Sequence, residues 1–209
     1  MKSDVIMVDS KGGGMDAAFA QVEAVAAYRG LSHKDTLHLR LLTEEMMGML
    51  KAIAGEVFAR FWIEDELRSG HFVLHLNCNT GMDYEKRKQL LEVSSSGKNA
   101  AVKGVTGKIR EFFERALVSD PSKGVPSYVG SSFLTAGALL RDASTSSNYV
   151  CWSMQKYKED VAERKDQEET AQEAWDELEK SIVANLADEI AIGIQGNEVE
   201  MLVYKNISL

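Results

Sequence analysis

The stretch LRLLTEEMMGMLKAIAG, Leu39 to Gly55, decides the fold class of this chain. Leu39, Leu42, Met46, Met49, Leu50 and Ile53 return every three or four positions, and Leu37, Leu41 and Met47 widen the stripe. That period predicts a largely buried helix over 35–54, ended by Gly55. Ser32 begins this helical region, and before it Met15 to Tyr28 places Phe19, Val22, Val25 and Ala26 at helical spacing with Gly30 in the C-cap position.

Outward from this helix pair the period changes from 3.6 to 2. Val57 to Ile63 and Phe72 to Cys78 read as two strands joined by a turn around Arg68-Ser69-Gly70. In the second, Phe72, Leu74, Leu76 and Cys78 face one way and His71, Val73, His75 and Asn77 the other. Near the start, residues 4–9 form a short Val/Ile strand that stops at Ser10-Lys11-Gly12-Gly13-Gly14. At the other end, strands at Glu189–Ile194 and Val199–Ile207 flank Gln195-Gly196-Asn197, a hairpin signal.

Between these regions, Asp83 caps a helix through Leu90 and Leu91, and Ile109 to Leu117 suits a second, half-buried one. Residues 118–148 hold both prolines and many serines, and read as a long insertion. Residues 149–186 are expected to be mostly one long charged helix, with Val161, Ala171, Trp175, Leu178 and Ile182 toward a core. Helices that come in runs, not one per strand, argue for an α+β chain, a single domain over 1–209.

Composition narrows the function classes. The chain has 209 residues, 24 basic and 32 acidic side chains, a formal charge of -8 and 44% hydrophobic residues. This is enough to bury a core without metal or disulfide. The acidic balance argues against nucleic acid and anionic membrane surfaces as partners. Cys78 and Cys151 form no CxxC pattern, so free buried thiols in a reducing cytoplasm are expected, and no stretch has the length of a membrane span.

Three places carry candidate chemistry. Glu44 and Glu45 lie inside the apolar helix, where a carboxylate needs a cleft, a partner or water, and Gly48 on the same face costs about 1 kcal/mol against alanine. Close approach of a backbone or ligand would explain that glycine; tight packing on the sheet is the alternative. Asn77 to Asp83 marks the exit of an alternating strand, either a ligand loop or an ordinary turn with Asp83 as cap. Gly97-Lys98-Asn99, with Gly104 and Gly107 before a helix, offers backbone N–H groups to phosphate, although Asn99 after Lys98 excludes a Walker motif. His71 and His75 share a strand face, but no carboxylate completes a recognisable metal triad.

LRLLTEEMMGMLKAIAG resembles the N-box helix of the gyrase, histidine kinase and MutL (GHKL) ATPase superfamily, in particular that of the small anti-sigma serine kinases. On the family's E-x-x-x-N pattern Glu45 matches the activating glutamate, and Met49 stands where the magnesium-holding asparagine belongs. Asn79-Thr80-Gly81-Met82-Asp83 lies where the family has D-x-G-x-G, whose aspartate recognises adenine. Gly104-Val105-Thr106-Gly107 resembles its later glycine box. DSKGGGMDAA at 9–18, SSSGKNAAVKG at 94–104 and GNEVEMLVYK at 196–205 are similar to stretches of bacterial ATP-binding proteins.

The resemblance implies a two-layer α/β sandwich with a mixed, mostly antiparallel sheet, the histidine kinase-like ATPase fold. It implies ATP or ADP bound by Asn79, Gly81, Lys98, Asn99, Gly104 and Gly107, with Glu45 as catalytic base. ATPase or serine protein kinase activity would go with this, except that Mg2+ lacks its asparagine. The implied partners are a sigma or anti-anti-sigma factor and a second copy of the chain. The competing expectation is a protein-protein interaction module that keeps the fold without catalysis.

Overall fold

The computed structural model describes residues 1–54, 57–66, 70–79, 149–195 and 197–208. In chain order these form β1 (Ile6–Asp9), α1 (Met15–Arg29), α2 (His33–Ala54), β2 (Phe58–Glu66) and β3 (His71–Asn79). After the undescribed middle come β4 (Tyr149–Ser153), α3 (Met154–Arg164), α4 (Glu169–Lys180), α5 (Ile182–Leu186), β5 (Glu189–Gln195) and β6 (Glu198–Asn206). The fold is α+β. Its sheet is six-stranded, open and antiparallel, in the order β1-β2-β3-β6-β5-β4.

This order has a regularity absent from the sequence. Among the described residues, the segments before and after the undescribed middle each lay down a strand, a run of helices and then two strands, and each orders its strands as first, second, third from the sheet edge inward. The third strands, β3 and β6, are neighbours at the centre. No residue-level repeat accompanies the repeated topology.

The chain divides into two compact units. The first comprises Met1–Asn79, Ile182–Ile190 and Glu200–Leu209. Within it, β1 pairs with β2 (Val8 opposite Ala59) and β2 with β3 (Phe61 opposite Leu76). The alternation expected of β3 is present: Phe72, Leu74, Leu76 and Cys78 are buried and the intervening residues half-buried. Helix α1 buries Ala18, Val22, Val25 and Ala26, and Gly30 ends it in the left-handed region at φ 66°, donating back to Ala26 and Ala27. Phe19, expected on that buried face, is half-buried under the Arg40 guanidinium, 4.7 Å from its ring centre.

Helix α2 starts at Ser32, whose Oγ accepts from the Asp35 backbone N–H at 3.1 Å and donates to the Asp35 carboxylate at 2.5 Å. Its stripe is buried as the period required: Leu39, Leu42, Met46, Met49 and Leu50 are each 3% exposed or less. Leu37 is 45% exposed, so the stripe is narrower at its N-terminal end than expected. Thr43, fully buried, returns its hydroxyl to the Leu39 carbonyl at 2.9 Å.

One charged pair holds helix to sheet. Arg29 in the last turn of α1 meets Asp65 of β2 at 3.0 Å, with the carboxylate 1% exposed. Asp65 shares its pleat with Ala59, Phe61 and Ile63, so this contact identifies the sheet face that α1 covers.

The second unit comprises Thr80–Ser181 and Ala191–Val199. In it β4 pairs antiparallel with β5, with Cys151 opposite Gly193. This corrects the expectation of one helix from 149 to 186: Tyr-Val-Cys-Trp has the aromatic and β-branched character of a strand and finds a strand to pair with. Ser153 then caps α3 through the Lys156 N–H at 3.3 Å. A turn at 165–167 separates α3 from α4, and Lys165 there covers the Trp175 ring at 4.1 Å. Val161, Ala171 and Leu178 are buried as expected, while Trp175 is only half-buried. Ile182, in the first unit, is 51% exposed against expectation.

The segments assigned above to helices at 83–91 and 109–117 and to an insertion at 118–148 lie outside the described residues. Among the described residues, no helix is long and apolar enough to cross a membrane.

Candidate functional site

Helix α2 places Glu45 at a half-exposed position, one turn before Met49. Met49 is 1% exposed and belongs to the core. A thioether is a poor ligand for a hard cation in any setting, and one closed into the core has no access to one. The residues on this turn therefore do not fit magnesium. Gly48 is exposed, and among the described residues a Cβ there would meet nothing within 4 Å, so these show neither a close approach nor tight packing on the sheet at this glycine.

The glycine run after β1 has a local explanation. The Asp9 carboxylate accepts from the Lys11 and Gly13 backbone N–H groups, both at 2.8 Å, and the Asp9 N–H donates to the Gly13 carbonyl at 2.9 Å. A Cβ on Gly13 would lie 2.3 Å from that carboxylate, and one on Gly14 would lie 2.2 Å from the Met7 carbonyl oxygen. The loop is folded around its own anion.

Polar side chains converge on the sheet face opposite Asp65. Trp62 of β2 stacks on His75 of β3, centroids 4.6 Å apart and planes 12° from parallel. Lys2 covers Trp62 with its ammonium 4.6 Å from the ring centre. Glu64 accepts from the Trp62 indole at 3.1 Å and pairs with Lys2 at 3.2 Å. The two histidine nitrogens point at different carboxylates: Nε2 lies 3.7 Å from Glu64 and Nδ1 lies 4.0 Å from Glu200 of β6. Both nitrogens are shut off from solvent without a hydrogen-bond partner among the described residues. Burial raises the Glu64 carboxyl, but the indole hydrogen bond and the charges of His75 and Lys2 outweigh it and leave the group below its ordinary range.

The same pleat carries an apolar stripe toward the β1 edge. Phe58 is 72% exposed, Met7 58% and Val5 51%, with Arg60 between them in register with Met7 and bonded to Asn77 at 2.6 Å. Aromatic, methionine and arginine side chains together on an open surface match the composition of protein-binding patches.

Of the expected site residues, only Glu45 and Asn79 are described. Asn79 is exposed at the end of β3, on the pleat of His75 and Asn77. Glu45 belongs to the helix pair α1–α2, whose α1 covers the other pleat. Gly81, Lys98, Asn99, Gly104 and Gly107 lie outside the described residues. His71 and His75 do not converge: His71 is bonded to Asn206 at 2.6 Å, and no group of three metal-ligating side chains occurs among the described residues. The Trp62–His75–Glu64–Glu200 cluster was missed because its members come from three strands. The in-phase alternation of Trp62/Glu64 and Val73/His75 was the only sign of it.

No known protein family, curated protein or solved structure matches the chain.

Proposed function

We propose that this chain is a regulatory protein that acts by binding and not by turnover, with an adenine nucleotide as its small ligand. Met49 carries the non-catalytic part: the side chain in the position of a metal ligand is a core methionine, 1% exposed. Phosphoryl transfer draws most of its rate from charge neutralisation by the metal, so Glu45 alone supplies little. The nucleotide part rests on the resemblance. Within that resemblance Asn79, exposed at the end of β3, stands at the adenine-reading position.

Calorimetry with ATP and ADP, with and without magnesium, tests this reading. The expected result is binding that does not need magnesium, and no phosphate release that Glu45→Ala abolishes. Turnover lost in Glu45→Ala with folding intact would overturn it.

A second reading is favoured by the stripe of Phe58, Met7 and Val5: a protein-protein interaction module, with the sigma and anti-anti-sigma factors implied by the resemblance as the first partners to try. Phe58→Glu is then expected to lose a partner that the unaltered chain retains. Retention of the partner by that variant would reject the stripe as the docking surface.

A further inference from the structure

We propose that Trp62 and Glu64 form a binding site for an alkylammonium ligand, and that Lys2 occupies it as the chain's own stand-in. The Lys2 ammonium makes the two contacts that recognise such a cation. It lies over the Trp62 ring, 4.6 Å from its centre, and it meets the Glu64 carboxylate at 3.2 Å.

The walls of the site stand without Lys2. Strands β1 and β3 flank β2 on opposite sides, so the Trp62 ring is backed on one face by His75, stacked at 4.6 Å, and turns the other toward the N-terminal segment. The indole N–H donates to Glu64 Oε1 at 3.1 Å, the same oxygen that Lys2 meets. Ring and carboxylate are thus set before a cation arrives, which lowers the ordering cost of binding one.

Lys2 itself is held weakly. Its side chain is 55% exposed and that of Glu64 35%, and an ion pair so open to water contributes little. The ladder is also broken beside it. Lys2 stands opposite Glu64 but Ile6 opposite Phe61, so four steps on one strand answer three on the other, and Asp4 and Val5 share Trp62. Such a bulge re-aims side chains at a sheet edge. Gln21 of α1 fixes this one, donating to Ser3 Oγ at 2.6 Å and to the Asp4 carbonyl at 2.7 Å. One face of the ring therefore has a fixed cover, His75, and the other a flexible and displaceable one.

The surroundings favour a cation over an anion. Glu200 adds a second carboxylate on this pleat, and the chain carries a formal charge of -8. Arg60, one row away on β2, is engaged by Asn77. The ammonium can come from a free amine or from a lysine of a partner protein. The stripe of Val5, Met7 and Phe58 begins beside Trp62, so a lysine flanked by apolar residues would engage both.

The test follows the Trp62 indole N–H in 15N spectra while n-butylammonium chloride is added to the unaltered chain and to Lys2→Ala. A saturable shift is expected in both, with half-saturation at about fivefold lower concentration in Lys2→Ala, where the competing side chain is gone. Glu64→Gln on the Lys2→Ala background is expected to raise the half-saturating concentration severalfold. Equal half-saturation with and without Lys2, or a response that sodium chloride or n-butanol reproduces, would overturn the proposal. Acetyl-Leu-Lys-Leu-amide separates the two sources. Binding tighter than that of n-butylammonium, by a margin that Met7→Ser reduces, supports a partner's lysine. Equal binding supports a free amine at the same site and counts against the apolar stripe alone.

Discussion

A buried ionisable group has only its near neighbours to compensate for lost water, and two residues show the consequences. Burial pushes the Cys78 thiol from its ordinary 9.0 up to about 11. Between those values the unfolded chain gives up its proton while the folded chain keeps it, so stability falls as the pH rises through the window. The loss is expected to total roughly 2–3 kcal/mol, and Cys78→Ala should abolish it in urea denaturation followed from about pH 8 upward. Asp65 is the opposite case, a carboxylate at 1% exposure kept by Arg29 at 3.0 Å. Arg29→Ala strands that charge and is expected to cost about 3 kcal/mol. Arg29→Met combined with Asp65→Leu should recover most of it, as measured by the shift in denaturation midpoint.

At the scale of elements, two glycines that look alike in sequence have opposite meanings. Gly14 adopts φ 78°, and any Cβ there would collide with the Met7 carbonyl, so β1 can turn into α1 only through glycine. Gly14→Ala is expected to lose about 2 kcal/mol or more. Gly48 sits mid-helix with open space around it, and Gly48→Ala should gain about 0.5–1 kcal/mol from helix propensity. Thermal denaturation of the two variants side by side checks both signs. A loss of stability in Gly48→Ala would mean that something does approach that turn, and would return Glu45 to consideration as a site residue.

At the scale of the whole molecule, the sequence by itself determined whatever depends on neighbours along the chain. Period and capping residues marked α1, α2, β2, β3 and the terminal hairpin, because amphipathic spacing and Gly30 or Ser32 act within one or two turns. The strand at 149–153 was not legible: a four-residue apolar run beside a charged helix has no period of its own, and it becomes a strand by pairing with β5. Glu45 and Met49 were set on a motif only by the resemblance. That Met49 is core is a matter of what packs against α2, which spacing cannot express. Only the tertiary structure decided that Asp9 fills its own glycine loop, and that His75 lies between glutamates 11 residues before it and 125 after it in the numbering. The sheet order β1-β2-β3-β6-β5-β4 brings β3 beside β6, with β2 on the far side of β3. Contacts across that order are set by strand register between distant segments, and register is a property of the assembled sheet.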